Sequence, residues 1–436
     1  MKYRNRKDGD SGGAKCTGDN RVTVRSAGGF VEGRRSRPSL GSVTLLALAG
    51  VALLVAACGS SSNTAATSKT AGSGPGTTSS GTGSASSGGS GSNTLLSQLK
   101  ALEAQPSFKA PGPAFDAKKL AGSTFAAVNC DPAVAPPTQA IQGSAQAGKA
   151  VGIDVKVLNI SGMDNVTSAV QTMDQAINLK PKAIIATCAP QLIAAPLQTA
   201  KKDGIPVVIE DVVPPNASAP GQGAGPLVFG VSSEPFALQG TILAEEIAAN
   251  GPKNAEVGFI SANLISGSPV LEASFKSGLA KYCPGCKLVA TPNVDPTNWV
   301  TQVPSTVTSM LTAHPNLNYL VPVMDGMDPF VLQGLKSGGS GRNVKVITTQ
   351  GTTGTPLSDV QSGTFFSDVG ISNFWVGWQG MDQAMRGALG LPPDTHLTMP
   401  ERYVTTSSLS GIDVTNDSAV YGTSYVTGFK KLWGLG

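Results

Sequence analysis

From Thr124 onwards the chain alternates short apolar runs with segments of helical periodicity, and this alternation constrains the fold more than any other feature. After the fifth run the same spacing starts again. The runs predict strands at 124–129, 155–160, 183–188, 207–210, 227–231, 256–261, 288–291, 319–322, 344–349 and 365–369. Strands that alternate with helices in this way are typical of βαβ units and parallel sheets. The sequence therefore predicts an α/β fold with two doubly wound parallel-sheet lobes.

The clearest helical segment lies between the second and third predicted strands. Its apolar residues recur three and four positions apart, as on one face of a helix. They are Val166, Ala169, Val170, Met173, Ala176 and Ile177. Doubly wound sheets bind ligands beyond the carboxyl ends of their strands, so two facing lobes define a binding cleft.

The N-terminal region carries the features of an export signal. An uncharged apolar stretch over residues 40–57 follows Arg34, Arg35 and Arg37. A single retained transmembrane helix is the alternative interpretation, since the stretch approaches the length that spans a bilayer. The sequence Val55-Ala56-Ala57-Cys58-Gly59 resembles a bacterial lipobox, which implies cleavage before Cys58 and acylation of its thiol. Two or more acyl chains would anchor the protein stably to the outer face of the cell membrane.

The segment after Cys58 is rich in Gly, Ser and Thr and contains one charged residue, Lys69. Such a composition cannot bury enough apolar surface to fold. A flexible coil over residues 59–94 has a root-mean-square end-to-end distance of roughly 30 to 36 Å. We therefore expect a signal peptide at 1–57, a tether at 58–94, and a short helix with a connector at 95–120.

The charge distribution excludes several classes of function. Residues 1–57 hold ten of the 32 basic residues and four of the 28 acidic ones, so the rest of the chain is close to neutral. A nearly neutral body has no basic surface for nucleic acid. The chain has only two histidines, His314 and His396, which disfavours histidine metal clusters and His-based triads.

Several segments of the body resemble the type I periplasmic binding proteins of the ribose and galactose class. The resemblance spans about residues 121 to 436 and rests on the order and spacing of its parts. They include Ala183 to Pro190, the run from Ala200 through Gly204-Ile205-Pro206 to Asp211, Met310 to Pro315, Val323-Met324-Asp325, and the ending Phe429-Lys430-Lys431-Leu432-Trp433-Gly434, which is common in actinobacterial members.

The resemblance implies that the chain crosses three times between the lobes, near residues 229–233, 371–373 and 401–404. An N-terminal lobe would then comprise 121–229 and 372–400. A C-terminal lobe would comprise 230–371 and 401–436. Hinge closure of the two lobes around a solute is the implied mechanism.

Five candidate ligand-binding residues follow from the resemblance and from the binding of ligands beyond the carboxyl ends of strands in doubly wound sheets. They are Asp131, Asp211, Trp299, Asp325 and Gln350. Asp211 matches the acid that hydrogen-bonds ligand hydroxyls in the family, and Gln350 stands where the family often has an Asp. Trp299 matches an aromatic platform or is an ordinary core tryptophan. Asp325 matches a polar site residue or is a plain N-cap. Asp131 follows the first strand and either faces the cleft or caps a turn.

Departures from the family pattern point away from ribose and from anionic ligands. Pro136 and Pro137 occupy the approximate place of a stacking aromatic pair. Val212 replaces an expected basic residue, and the arginine expected near Pro269 is missing. A less polar solute is therefore an open alternative. The aromatic residues Phe374, Trp375 and Trp378 either line such a pocket or form the buried face of the next helix.

Four cysteines remain outside the membrane after signal cleavage at Cys58, where disulfides persist. Cys130 and Cys188 end the first and third strands, which are neighbours in a 2-1-3 strand order, so we predict that they are bonded. We also predict a bond between Cys283 and Cys286. The Cys283-Pro284-Gly285-Cys286 motif follows a predicted helix, which disfavours a thioredoxin-like role because that chemistry needs a helix N-terminus.

No enzyme motif is complete. The glycine-rich segment 221–225 is followed by Pro226 and a strand, which disfavours a dinucleotide-binding loop. His314 and His396 have no neighbouring nucleophile in the sequence. We expect neither catalysis nor a cofactor or metal.

The sequence thus predicts a monomeric, extracytoplasmic solute-binding lipoprotein that delivers a small sugar-like solute to separate permease and ATPase subunits of an ABC importer. Two alternatives remain at this point. One is a solute sensor that docks on a membrane receptor or kinase. The other is a binder of a less polar metabolite.

Overall fold

The computed structural model describes residues 89–162, 165–211, 225–265, 267–339, 343–394 and 399–436. The predicted signal segment, Cys58, most of the predicted tether, residues 221–224 and His396 lie outside these ranges. Within them, no helix combines the length and apolar character needed to cross a membrane.

The described residues form eleven strands and twelve α-helices. The strands are β1 (Thr124–Asn129), β2 (Asp154–Asn159), β3 (Ile184–Ala186), β4 (Val207–Glu210), β5 (Gly230–Ser232), β6 (Glu256–Ile260), β7 (Lys287–Ala290), β8 (Leu317–Pro322), β9 (Lys345–Gln350), β10 (Ser367–Gly370) and β11 (Arg402–Thr405). The helices are α1 (Gly89–Leu102), α2 (Ala135–Val151), α3 (Val166–Asn178), α4 (Ala194–Lys202), α5 (Phe236–Asn250), α6 (Ser268–Tyr282), α7 (Trp299–Ala313), α8 (Asp328–Gly339), α9 (Thr355–Gln361), α10 (Asn373–Ala388), α11 (Asp417–Tyr421) and α12 (Ser424–Leu432).

The N-terminal lobe is built on a five-stranded parallel sheet with the order β2-β1-β3-β4-β5. Alternate residues of its strands enter two separate cores, one on each face of the sheet. The first core contains α2, α10 and α12, and the second contains α3 and α4. The predicted period of α3 is confirmed, since Ala169, Met173 and Ala176 are buried and the Asn165 side chain caps the first turn by accepting from the Ser168 N–H.

The C-terminal lobe contains a six-stranded sheet with the order β11-β10-β9-β8-β6-β7. Its strands pair in parallel except β11, which runs antiparallel to β10. Helices α5 and α6 pack together, as do α7 and α8, and one continuous core joins them to the sheet. The α/β fold with two lobes is therefore confirmed.

Residues 402–405, which overlap the third predicted crossing, do not form a hinge loop. They form β11 at the open edge of the C-terminal sheet, because the chain returning from the N-terminal lobe pairs with β10. The other two crossings lie between β5 and α5 and between β10 and α10.

Two additional passes join the lobes. Helix α1 begins at Gly89, inside the segment expected to be tether, and packs against α5 and β11. The chain then reaches the N-terminal lobe, where Phe108 stacks on Trp375 and contacts Phe429 edge-on. At the other end of the chain, α11 lies in the C-terminal lobe and α12 in the N-terminal lobe.

The position of α12 differs from the expected boundary, which assigned all of 401–436 to the C-terminal lobe. Tyr425 stacks on Trp375 with ring centroids 5.0 Å apart, and Trp433 stacks on Trp378 at 5.4 Å. These aromatic contacts bury α12 against α10. They also show that Trp375 and Trp378 belong to the core and do not line a ligand pocket.

Candidate functional site

All five candidate residues lie at or after the carboxyl ends of strands. Asp131 follows β1 and Asp211 follows β4, both in the N-terminal lobe. In the C-terminal lobe, Asp325 follows β8, Gln350 ends β9, and Trp299 begins α7 after β7. In parallel sheets these ends form one edge, so each lobe presents its candidates at the edge where doubly wound folds bind ligands.

The N-terminal half of the site consists of two neighbouring carboxylates. The Asp211 N–H donates to the Ser232 carbonyl at 2.9 Å, and the Ser233 hydroxyl donates to the Asp211 carbonyl at 3.2 Å. Burial, followed by the nearby charge of Asp131, raises the pKa of the Asp211 carboxyl to about 7. The two carboxylates are therefore close enough to repel each other.

The C-terminal half centres on Asp325, whose carboxylate accepts two hydrogen bonds from Thr352. The Thr352 N–H donates at 2.7 Å and its hydroxyl at 3.0 Å, and both residues are buried. Burial raises the pKa of the Asp325 carboxyl to about 7, while the Thr352 bonds act in the opposite direction. Asp325 is therefore more than a helix cap, since it joins the end of β8 to the loop after β9.

Trp299 lies beside this carboxylate. Its indole N–H donates to the Val294 carbonyl at 3.2 Å, and a Cβ placed on Gly326 would lie 3.2 Å from its ring. Glycine at 326 thus lets the ring approach the backbone next to Asp325. Trp299 is half-buried, since it packs against the C-terminal core and keeps part of its surface exposed.

Backbone strain coincides with two of the candidates. Among the described non-glycine residues, only Lys180, Asp211 and Gln350 have positive φ, at 50°, 69° and 101°. Such conformations cost free energy and concentrate at functional sites. Gln350 is also buried, with 4% of its surface exposed.

Sequence reasoning missed a buried polar network at the first and third crossings. The Gln239 side-chain amide donates to Glu234 Oε2 at 2.9 Å and to Glu401 Oε1 at 3.2 Å. Burial raises the pKa of the Glu234 carboxyl well above its usual value. The charge of Asp211 is the next largest cause of this rise, and that of Asp325 also contributes. The charges of acids from both lobes therefore act on Glu234. It comes directly after the predicted crossing at 229–233, which was the signal that could have identified it.

A second missed contact joins the lobes directly. The Gln139 amide on α2 donates to the Thr353 hydroxyl of the C-terminal lobe at 3.3 Å. The Asn373 amide, at the second crossing, donates to Gln139 Oε1 at 3.3 Å. Pro136 and Pro137 lie in the first turn of the same helix, where proline is favoured because it fixes φ and lacks an N–H.

The cysteines are joined as predicted. Cys130 bonds Cys188 at a Cα–Cα distance of 5.0 Å, which ties the end of β1 to the end of the strand beside it. Cys283 bonds Cys286 at 5.3 Å, immediately after α6 ends. His314 ends α7, away from the candidate residues.

A separate surface pocket of about 830 Å³ lies between α1 and the edge formed by β10 and β11. Leu96, Phe366 and Tyr403 are among the residues that line it. None of the five candidate residues borders this pocket.

Comparison with known proteins agrees with this architecture. Residues 137–391 match the model of the periplasmic binding protein domain, which is more than half of the chain. The fold and the position of the site define a two-lobed, type I periplasmic binding protein. The chain belongs to this family of periplasmic binding protein domains. No curated protein matches it.

Solved structures of solute-binding proteins share the fold. An ABC transporter periplasmic protein from Actinobacillus succinogenes 130z with bound D-allose superposes with a TM-score of 0.56 at 20% identity, covering 66% of this chain and 99% of that one. A protein from Agrobacterium vitis with bound α-D-tagatopyranose gives 0.58 at 20% identity, with coverages of 66% and 96%. A Mycobacterium smegmatis protein with bound glycerol gives 0.56 at 15% identity, with coverages of 68% and 98%.

Proposed function

We propose that this protein is the extracytoplasmic solute-binding subunit of an ABC importer and binds a small polyhydroxylated, sugar-like solute by closure of its lobes. The observation that supports the proposal is the position of Asp211 and Asp325 at the ligand-binding edges of the two sheets, with Glu234 at the crossing between the lobes. These acids come from different lobes and from the crossing between them, and they interact electrostatically. A solute that contacts all three favours the closed state over the open one.

The polar groups suit a polyhydroxylated solute. Carboxyl and amide side chains accept and donate hydrogen bonds to hydroxyl groups. Trp299 offers the partly exposed face of an aromatic ring beside Asp325. The sugars and glycerol bound by the structural neighbours belong to the same chemical class.

The binding proposal is tested by titrating the purified full chain with sugars and polyols. A ligand at a hundred times its dissociation constant adds about 2.7 kcal/mol of stability, which raises the melting temperature by several degrees. We expect Asp211→Asn to weaken binding of the best ligand by about 10- to 100-fold, because a hydrogen bond to a charged group is lost. Asp174→Asn, on the exposed face of α3, is the matched control. The proposal fails if no sugar or polyol stabilises the protein.

We propose further that Cys58 carries the lipid anchor. The basic segment, the apolar stretch and the small residues before this cysteine support the assignment. Cells that express the protein should incorporate labelled palmitate into the wild type and into a Cys16→Ser control, and not into Cys58→Ser. Equal labelling of both variants would contradict it.

A further inference from the structure

Among the residues that the structure describes, the charged side chains at the strand ends that face the other lobe are all acidic. We call Asp131, Asp211, Glu234 and Asp325 the interlobe carboxylates. Ser233, which precedes Glu234, donates its hydroxyl to the Asp211 carbonyl at 3.2 Å, and Thr353, which follows the Thr352 that bonds Asp325, accepts from Gln139 of the N-terminal lobe at 3.3 Å. These contacts bring the segments that carry the acids together, and the four form a series from one lobe to the other. In agreement with this placement, Asp131 raises the pKa of Asp211, and both Asp211 and Asp325 raise that of Glu234. Further acids lie next to this series. They are Glu401 at the third crossing, Asp368 on β10 and Asp328 at the start of α8.

No basic side chain of the described segments balances these acids. Arg386 pairs with Asp382 at 2.7 Å within the N-terminal core. Arg402 donates to backbone carbonyls, including that of Glu103. The described lysines are exposed, except Lys345, which is half-buried and lies over the ring of Phe366, 3.9 Å from its centroid.

A buried acceptor in the middle of the series lacks a donor. Glu234 is fully buried, and its Oε1 has no hydrogen-bond partner among the described residues, whereas Oε2 accepts from Gln239. Buried polar atoms are nearly always paired, and leaving one unpaired is costly. Glu234 directly follows Ser233, whose hydroxyl donates to the Asp211 carbonyl, so Oε1 is carried by the crossing that adjoins the N-terminal half of the site.

A hydroxyl group, a metal ion or an ammonium group could each satisfy the unpaired oxygen, and the structure favours the last. A neutral hydroxyl donates a hydrogen bond but leaves the excess of acidic side chains without a positive charge. A metal ion needs several oxygen ligands in one small sphere. In the part of the chain that the structure describes, no three acidic, histidine or cysteine side chains converge in this way. An ammonium group supplies three donors and a full positive charge, and it tolerates acceptors spread over a wider space.

We infer that the solute is an amine-bearing polyol, such as an amino sugar, whose ammonium group lies between the interlobe carboxylates. The inference rests on the proposed function and narrows its class of solute. Closure without a cation would bring acids of both lobes together and remove them from water, which disfavours the closed state. An ammonium group enclosed among the acids replaces the repulsion between them by attraction to its positive charge. The solute charge then drives closure in addition to the hydroxyl contacts.

The test compares neutral sugars with their amino counterparts on the purified full chain at pH 7.5. The pairs are D-glucose with D-glucosamine, D-galactose with D-galactosamine, and sorbitol with N-methylglucamine. N-acetylglucosamine serves as a control that keeps the nitrogen and loses the charge. We expect the amine to bind at least about tenfold more tightly than its neutral partner, because its hydrogen bonds are charge-assisted.

Glu234→Gln provides a second readout that needs no ligand. The glutamine keeps an acceptor for Gln239 and points an NH₂ group at the neighbouring acids. The empty variant should therefore melt about 2 to 6 °C higher than the wild type. It should also lose the preference for amines. Glu245→Gln, which changes a partly exposed glutamate on α5, should alter neither property.

The outcomes separate the inference from the proposed function. A neutral sugar that binds as tightly as its amino partner overturns the inference and leaves the proposed function standing. If no compound of the panel binds, the melting temperature of Glu234→Gln decides. A rise supports an acidic site that awaits a cation, whereas no change or a fall overturns the inference, because Glu234 is then a structural residue.

Discussion

In the C-terminal lobe, Thr352 holds the carboxylate of Asp325 with two hydrogen bonds, whereas in the N-terminal lobe Asp211 is held through its backbone. The nearest covalent support of the N-terminal half is the Cys130–Cys188 disulfide, adjacent to Asp131. One half is thus organised by polar contacts to the carboxylate, and the other by its backbone and a cross-link. The difference suggests that Asp211 has more of its hydrogen-bonding capacity available to a ligand than Asp325 has.

The largest expected effect comes from the two disulfides. Cys130 and Cys188 are 58 positions apart, and Cys283 and Cys286 are three apart. The chain-entropy model assigns more stabilisation to the longer loop. Replacing Cys130 and Cys188 by serine should lower the free energy of unfolding by about 2–5 kcal/mol, and the same change at Cys283 and Cys286 by less than about 2 kcal/mol.

Denaturant titrations of the two double mutants measure this difference. The first double mutant should also bind its ligand more weakly, because the ends of β1 and β3 are no longer tied together beside Asp131. Equal losses of stability in the two mutants would show that the cross-link at the ligand edge contributes no more than the short loop.

The second-largest expected effect is a difference in stability between substitutions of Asp325 and Asp211. Asp325→Asn turns an NH₂ group towards one of the two Thr352 donors, so a buried donor loses its acceptor. We expect the free energy of unfolding to fall by about 1–3 kcal/mol. Asp211→Asn keeps the left-handed backbone that asparagine tolerates and removes a buried charge, so stability should stay the same or increase. Thermal and denaturant unfolding of both variants, with Asp174→Asn as control, test the comparison. Equal destabilisation by both would contradict it.

The smallest expected effect is a difference in pH dependence. Burial raises the pKa values of Asp211 and Asp325 from a usual 3.8 to about 7. Between these values the folded state binds more protons than the unfolded state, so stability should fall as the pH rises from about 4 to about 7. Each Asp→Asn variant should flatten this profile to a similar extent, as measured by melting temperature against pH. If only one variant flattens the profile, the two halves of the site differ in their electrostatics as well as in the contacts that hold their aspartates.

Most strands of both lobes were predictable because they are buried on two faces and appear as continuous apolar runs, whereas the edge strands β2 and β7 are partly exposed. Of the residues at their ends, Asp211 and Gln350 were identified by resemblance, and the structure adds that both have strained backbones. The network of Glu234, Gln239 and Glu401 was not predicted. Gln239 and Glu401 are 162 positions apart in the sequence, and no local sequence pattern indicates that they are in contact.

The sequence by itself determined the α/β class, the two lobes, the strand ends that carry the candidate residues and the cysteine pairs, because these depend on local periodicity and on the regular order of βαβ units. The tertiary structure alone decided where the last helix packs, how β11 closes the sheet edge and which acids face one another between the lobes. These features depend on contacts between segments far apart in the chain, such as Tyr425 on Trp375. Local sequence patterns do not specify such contacts, so they are found only in the folded structure.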